Sequence, residues 1–213
     1  MDGDIAPLTE IAHSTGVYGE LGRGIVCELG LEDEVFARLH TFGKALASTG
    51  AAVLGSYVLR EYLINYARPL IYSTFMPFNC LVSIKCAYDM LENGQTISIQ
   101  EHLHNITKRF RETVRLPVGT LLPSSSPIQG IVLSGNAPVR ALSSYLNSKR
   151  FIVKPICSPT VPKGQERVRI CLHGHNTIKE VDGLVEEIHK FFQITSPEFE
   201  EAKFIAVVVT LIQ

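Results

Sequence analysis

Lys44 has the surroundings of a lysine that reacts rather than one that dissolves. It sits in "HTFGKALASTGAAVLGS", His40 to Ser56, with a glycine before it, an alanine after it and no acidic residue in the stretch. A lysine in a small, neutral segment can condense with an aldehyde to form a Schiff base. The best-known aldehyde of that kind is pyridoxal 5′-phosphate, whose phosphate needs hydroxyl and backbone N–H donors. Thr41 lies three residues before Lys44, and Ser48 and Thr49 follow it. Spacing alone leaves a second reading open, a lysine in a surface loop.

These residues need elements to hold them. Glycines crowd "HSTGVYGELGRG", a turn-rich entry. "LEDEVFARL" reads as a short helix and "GAAVLGS" as a short buried strand. Tyr57 to Ala67 has apolar residues at helical spacing and stops before Pro69. "NCLVSIKCAYDMLENG" reads as a mostly buried helix ending at Gly94. "TISIQEHLHNITKRFRETV" reads as an amphipathic helix with a charged face. A loop-like stretch, "LPVGTLLPSSSP", follows. Then come strand "IQGIVLS", helix "PVRALSSYLNSKR", strands "FIVKPIC" and "ERVRICLH", and a final amphipathic helix "TIKEVDGLVEEIHKFF". Thr177 and Glu180 have the spacing of a capping box for that helix. Strands alternating with helices indicate an α/β or α+β fold. The last stretch, 194–213, ends in an unbroken β-prone apolar run, "FIAVVVTLIQ", that fits no element of such a fold.

Composition narrows the function classes. The 213 residues carry 20 Lys and Arg against 21 Asp and Glu, a net charge of −1, with 46% hydrophobic residues. Nucleic acid is not expected as a partner, because phosphate contacts need clustered cations. No polybasic or lipidation motif points to a membrane, and the terminal apolar run is too short to span one. The five cysteines, Cys27, Cys80, Cys86, Cys157 and Cys171, are odd in number and form no CxxC pair. A reducing, cytoplasmic setting is expected, with no signal or transit peptide. "HLH" at His102–His104 and "HGH" at His173–His175 look like metal pairs. Helical i,i+2 residues do not share a face and no third ligand is evident, so both read as structural.

Three segments carry a resemblance. "AHSTGVYGELGRG", "LHTFGKALASTGAAVLGS" and "REYLINYARPLIYST" look like consecutive segments of the α-oxoamine synthases, pyridoxal-phosphate enzymes of fold type I. A fourth, "KPICSPTVPKGQERVRICLHGHNT", resembles that family's carboxyl-terminal segment. The wording around Lys44 is similar to the biotin-pathway branch, the 8-amino-7-oxononanoate synthases. The resemblance runs to about residue 193 and covers the carboxyl-terminal half of a family member.

The resemblance implies a partial fold type I architecture. Residues 1–94 would be a remnant of the cofactor-binding large domain and residues 95–193 the α+β small domain. It implies that Lys44 holds the cofactor covalently, that Thr41 donates to its phosphate and that His13 bonds its ring hydroxyl. Arg169 would hold the amino-acid carboxylate, for which its forked guanidinium is suited. Ser73 and Thr74 match a segment that reaches a neighbouring subunit's cofactor phosphate, so a homodimer is expected. The implied reaction joins an amino acid, alanine by resemblance, to an acyl-CoA such as pimeloyl-CoA with decarboxylation.

Each residue has a plainer reading beside it. His13 could serve a turn, Arg169 could be a rim charge on an edge strand, and Ser73 and Thr74 could cap the next helix. The chain also departs from the pattern. Glu10 stands where the family has an aspartate three residues before the histidine, and the strand that would carry it reads as deleted. The alternative function is a non-catalytic, truncated chain that acts only by pairing with a full-length relative, or not at all.

Overall fold

The computed structural model describes residues 9–10 and 12–195. Of the stretch 194–213 expected to fit no element, residues 194–195 end the last helix, and 196–213 lie outside the described residues. The chain divides into two compact units, 1–100 and 101–213, where the sequence places the boundary at 94/95.

In the first unit, β1 (Thr9–Glu10), β2 (Ala37–Thr41) and β3 (Ala51–Gly55) form one sheet in that order. β1 runs parallel to β2, and β3 antiparallel to it. The helices are α1 (Ile25–Glu28), α2 (Tyr57–Tyr66), α3 (Arg68–Ile71) and α4 (Phe78–Glu92). Ser56 starts α2, its hydroxyl accepting from the Leu59 N–H at 3.2 Å, as a cap should. Pro69, which lacks an N–H, sits in the first turn of α3, where none is needed. Gly94, at φ +69°, stops α4 in the left-handed conformation that glycine adopts without strain.

Four expectations change here. "LEDEVFARL" forms no helix: its end is β2, which pairs on both edges, so sheet pairing overrides a weak helical pattern. β3 is largely exposed, not buried, because it is the last strand of its sheet. α4 is exposed along most of its length, with Leu91 its one buried residue. The strand that reads as deleted before His13 is present as β1, with Glu10 opposite Leu39 of β2.

In the second unit, β4 (Ile128–Val132), β5 (Lys154–Ile156) and β6 (Arg167–Cys171) form an antiparallel sheet of order β4-β6-β5. Helices α5 (Ile97–Thr113), α6 (Asn136–Ser148) and α7 (Ile178–Thr195) complete the set, and the division between the units falls inside α5. Period-2 alternation puts Val168 and Ile170 inward. They join Ile106, Phe110, Ile131, Val139, Leu142, Leu146 and Ile188 in one core. The opposite sheet face carries Arg167, Arg169, Cys171 and Lys154. Thr177 and Glu180 exchange hydrogen bonds at the start of α7, Thr177 N–H to the carboxylate at 2.7 Å and Glu180 N–H to Thr177 Oγ1 at 3.2 Å. The capping box stands as read.

Candidate cofactor site

The turn that follows β2 presents Lys44. Its ammonium donates to Thr41 Oγ1 at 3.0 Å, and that hydroxyl donates to the Ala12 carbonyl at 3.3 Å. Ala12 immediately precedes His13, so one hydrogen-bonded chain joins the Lys44 turn to the turn that bears His13. The Lys44 turn is closed by its own backbone, Ala47 N–H to Lys44 O at 2.9 Å and Ser48 N–H to Phe42 O at 2.8 Å. Phe42 and Leu46 point inward and pack with Leu91. The apolar residues on either side of Lys44 anchor the turn and leave its amine half-buried.

The two turns touch at further points. Gly16 has φ +82°, and a Cβ placed on it would lie 2.9 Å from the Ala45 Cβ. Only a residue without a side chain allows that approach. Thr15, buried, has its hydroxyl 2.8 Å from Nδ1 of His40. His40 is buried too, and burial first, then the charge of Arg38, hold its imidazole below the usual histidine range. Gln100 Nε2 donates to the Gly16 carbonyl at 3.0 Å. Sequence reading singled out Lys44, Thr41 and His13 but missed Thr15, Gly16 and His40. Their roles depend on contacts some 25 residues apart, which no local pattern signals.

His13 is exposed, with Ser14 and Thr15 buried beside it. Ser73 and Thr74 are exposed on the connection between α3 and α4, Ser73 donating to the Leu70 carbonyl at 2.9 Å. They neither cap α4, which begins at Phe78 after Pro77, nor bond to the Lys44 turn among the described residues. Arg169 is on β6, the central strand and not an edge. It stands opposite Gly130 on one side and Lys154 on the other. It makes no ion pair among the described residues, and Arg167 lies two residues away on the same face. His102 Nε2 donates to the Asn176 carbonyl oxygen at 2.7 Å, and the rings of His173 and His175 stack at 5.3 Å. Among the described residues no group of three His, Cys, Asp or Glu could hold a metal ion. No described helix is long and apolar enough to cross a membrane. All five cysteines are free.

The donor set fits a phosphorylated aldehyde. A half-buried primary amine is present for the carbonyl, with a hydroxyl hydrogen-bonded to it. The glycine-walled contact of two turns behind them fixes both. Among the described side chains no carboxylate bonds to Lys44 to compete for the amine.

Comparison with known proteins gives the same direction. Residues 3–188 match the family model described as aminotransferase class I and II. An 8-amino-7-oxononanoate synthase from Emericella nidulans is 42% identical over 220 residues, covering 91% of this chain and 52% of that protein. The solved 8-amino-7-oxononanoate synthase from Francisella tularensis is 27% identical with a TM-score of 0.71, over 87% of this chain and 54% of that one. A solved serine palmitoyltransferase from S. paucimobilis, described with bound PLP, has a TM-score of 0.77 at 18% identity. It covers 88% of this chain and 47% of that one, and shows likeness of fold alone. The chain spans about half the length of the relatives it matches.

Proposed function

We propose, from the premise that this chain belongs to the aminotransferase class I and II family, that it bears the reactive lysine of a pyridoxal-phosphate-dependent acyltransferase of the α-oxoamine synthase type. The observation that carries this reading is the chain from Lys44 through Thr41 to the Ala12 carbonyl. It fixes an amine and a hydroxyl beside the turn that bears His13. Pyridoxal phosphate, when bound, supplies an electron sink that stabilises negative charge at an amino acid's α-carbon. Lys44 Nζ would hold the cofactor through its aldehyde carbon, and its amine would be the base for the amino acid's α-proton. Thr41 would donate its hydroxyl to the phosphate, and His13 would bond the ring hydroxyl. By the same resemblance Arg169 would grip the amino-acid carboxylate, and Lys154 and Arg167 share its sheet face. Alanine and a pimeloyl-type thioester are the proposed substrates, supported by the 42% identity to a synthase of that name. The proposed assembly is a homodimer in which Ser73 and Thr74 serve the neighbouring subunit's phosphate.

A second reading is favoured by a separate observation. α2 and α4 expose Tyr57, Val58, Tyr66 and Phe78 at 68–77% of their full area, apolar surface suited to pairing with a relative without turnover of its own. The test is the visible absorbance of the chain mixed with pyridoxal phosphate, against Lys44→Ala. A lysine-dependent band that shifts on adding alanine supports the enzyme reading. A band equal in the variant removes Lys44 from the site. Measured release of CoA from alanine and pimeloyl-CoA by the chain alone excludes the non-catalytic reading.

A further inference from the structure

His40 is a costly residue to place where it is. Its imidazole is 5% exposed, and Nε2 has no hydrogen-bond partner among the described residues. A buried polar atom left unpaired is destabilising, and a valine would fill a central strand without that cost. What an apolar residue could not supply is the bond from Nδ1 to Thr15 at 2.8 Å. We propose that His40 is a positioning residue: in its neutral form it pins the Ala12–Gly16 turn to the end of β2, and so fixes the turn bearing His13 against the turn bearing Lys44. This rests on the cofactor reading above for its consequence, not for its geometry.

The unpaired Nε2 makes the pin acid-sensitive. A neutral ring with Nδ1–H donating to Thr15 leaves Nε2 a bare lone pair, the cheaper kind of orphan. A second proton would create a buried cation whose Nε2–H has no acceptor. The surrounding charges do not help. Arg38 lies two residues earlier on β2, its guanidinium donating to Cys27 Sγ of α1 at 3.7 Å. Lys44 follows on the next turn, and His13 is on the turn being held. β3 places Ala52 opposite His40 and has no titratable residue. On β1, Glu10 pairs with Leu39 through the backbone. The docked turn therefore prefers the neutral ring and the released turn takes the proton first. Docking is fully present above the ordinary histidine value of about 6.5 and weakens as pH falls below it.

Two readouts on the full chain test this. The ring C–H resonance of His40, assigned by its loss in His40→Asn, should titrate below the range of an exposed histidine; an ordinary midpoint overturns the proposal. That readout needs no cofactor. Failure of the cofactor reading would show separately, as no Lys44-dependent absorbance in the unsubstituted chain. The second readout is pyridoxal-phosphate capture between about pH 7.5 and about pH 5.5, a window bracketing the ordinary histidine value. The unsubstituted chain should lose about tenfold more affinity across it than His40→Asn, whose amide can bond Thr15 but cannot titrate. Thr15→Val should weaken capture at the higher pH, and Thr15→Ser, which keeps the hydroxyl, should restore it. Equal pH profiles in the chain and in His40→Asn, or equal capture by Thr15→Val, overturn the proposal.

Discussion

At the scale of single residues, the site depends on an amine whose partner is a hydroxyl and not a carboxylate. Thr41→Val removes the hydrogen bond that, among the described residues, the Lys44 ammonium makes to a side chain. A bond to a charged group is worth about 1.5–3 kcal/mol, so capture of pyridoxal phosphate should weaken about tenfold or more. Titration of the visible band measures it, and unchanged capture would remove Thr41 from the site. Arg169→Lys keeps the charge but loses the fork. It should raise the KM for the amino acid with a smaller effect on kcat, read from steady-state rates. The contact between Lys44 and Thr41 was legible in the sequence because the two lie three residues apart within one turn. Thr15 and His40 were not, because a bond between residues 25 positions apart leaves no periodic trace. A histidine beside the apolar end of "LEDEVFARL" was the available hint, and the first three residues of its strand, Ala37, Arg38 and Leu39, read as the end of a helix.

At the scale of elements, legibility followed the source of each element's stability. Helices α5, α6 and α7 bury one continuous stripe, and the 3.6-residue period showed it. β2 is five residues long and owes its form to strands on both sides, so its own sequence carried little signal. The capping box was readable because Thr177 and Glu180 are three residues apart. Thr177→Ala should cost about 1 kcal/mol of stability, measured by denaturant unfolding. The Glu180 carboxyl is held low, first by the Thr177 N–H and then by its hydroxyl. Its contribution is therefore present above the ordinary glutamate range and is lost as pH falls through the lowered value. Thr177→Ala should accordingly flatten the acid limb of the stability–pH curve. A different element, the Ala12–Gly16 turn, owes its seat to a missing side chain. Gly16→Ala places a methyl 2.9 Å from the Ala45 Cβ at a φ of +82°. Capture of pyridoxal phosphate should fall while the unfolding of residues 101–195 stays unchanged.

At the scale of the whole molecule, the two units differ in how completely they satisfy their own apolar side chains. The second has a core of fully enclosed residues, Ile106, Phe110, Ile131, Val139, Leu142, Leu146, Val168 and Ile188 among them. The first has Phe42, Leu46 and Leu91 as its cluster, and an open groove of about 1100 Å³ lined by Val53, Leu59, Leu63 and Leu70 among others. Contiguous exposed apolar surface is the kind that protein–protein contacts use. Local stability tracks buried apolar contact. Backbone amides of α6, α7 and β6 should then exchange with solvent deuterium far more slowly than those of β3, α2 and α4. Ile188→Ala, at a site with no exposure, should cost about 2–5 kcal/mol and speed exchange throughout the second unit. Val58→Ala, at a residue 77% exposed, should change nothing in the isolated chain. Because a ligand stabilises the state that binds it, pyridoxal phosphate should slow exchange first in the Ala12–Gly16 and Thr41–Ser48 turns, and not in Lys44→Ala. Slow exchange across β3 and α2 without cofactor would mean that copies of the chain already cover that face. Val58→Glu should then return those amides to fast exchange and shift the sedimenting species toward the 23.5 kDa single chain.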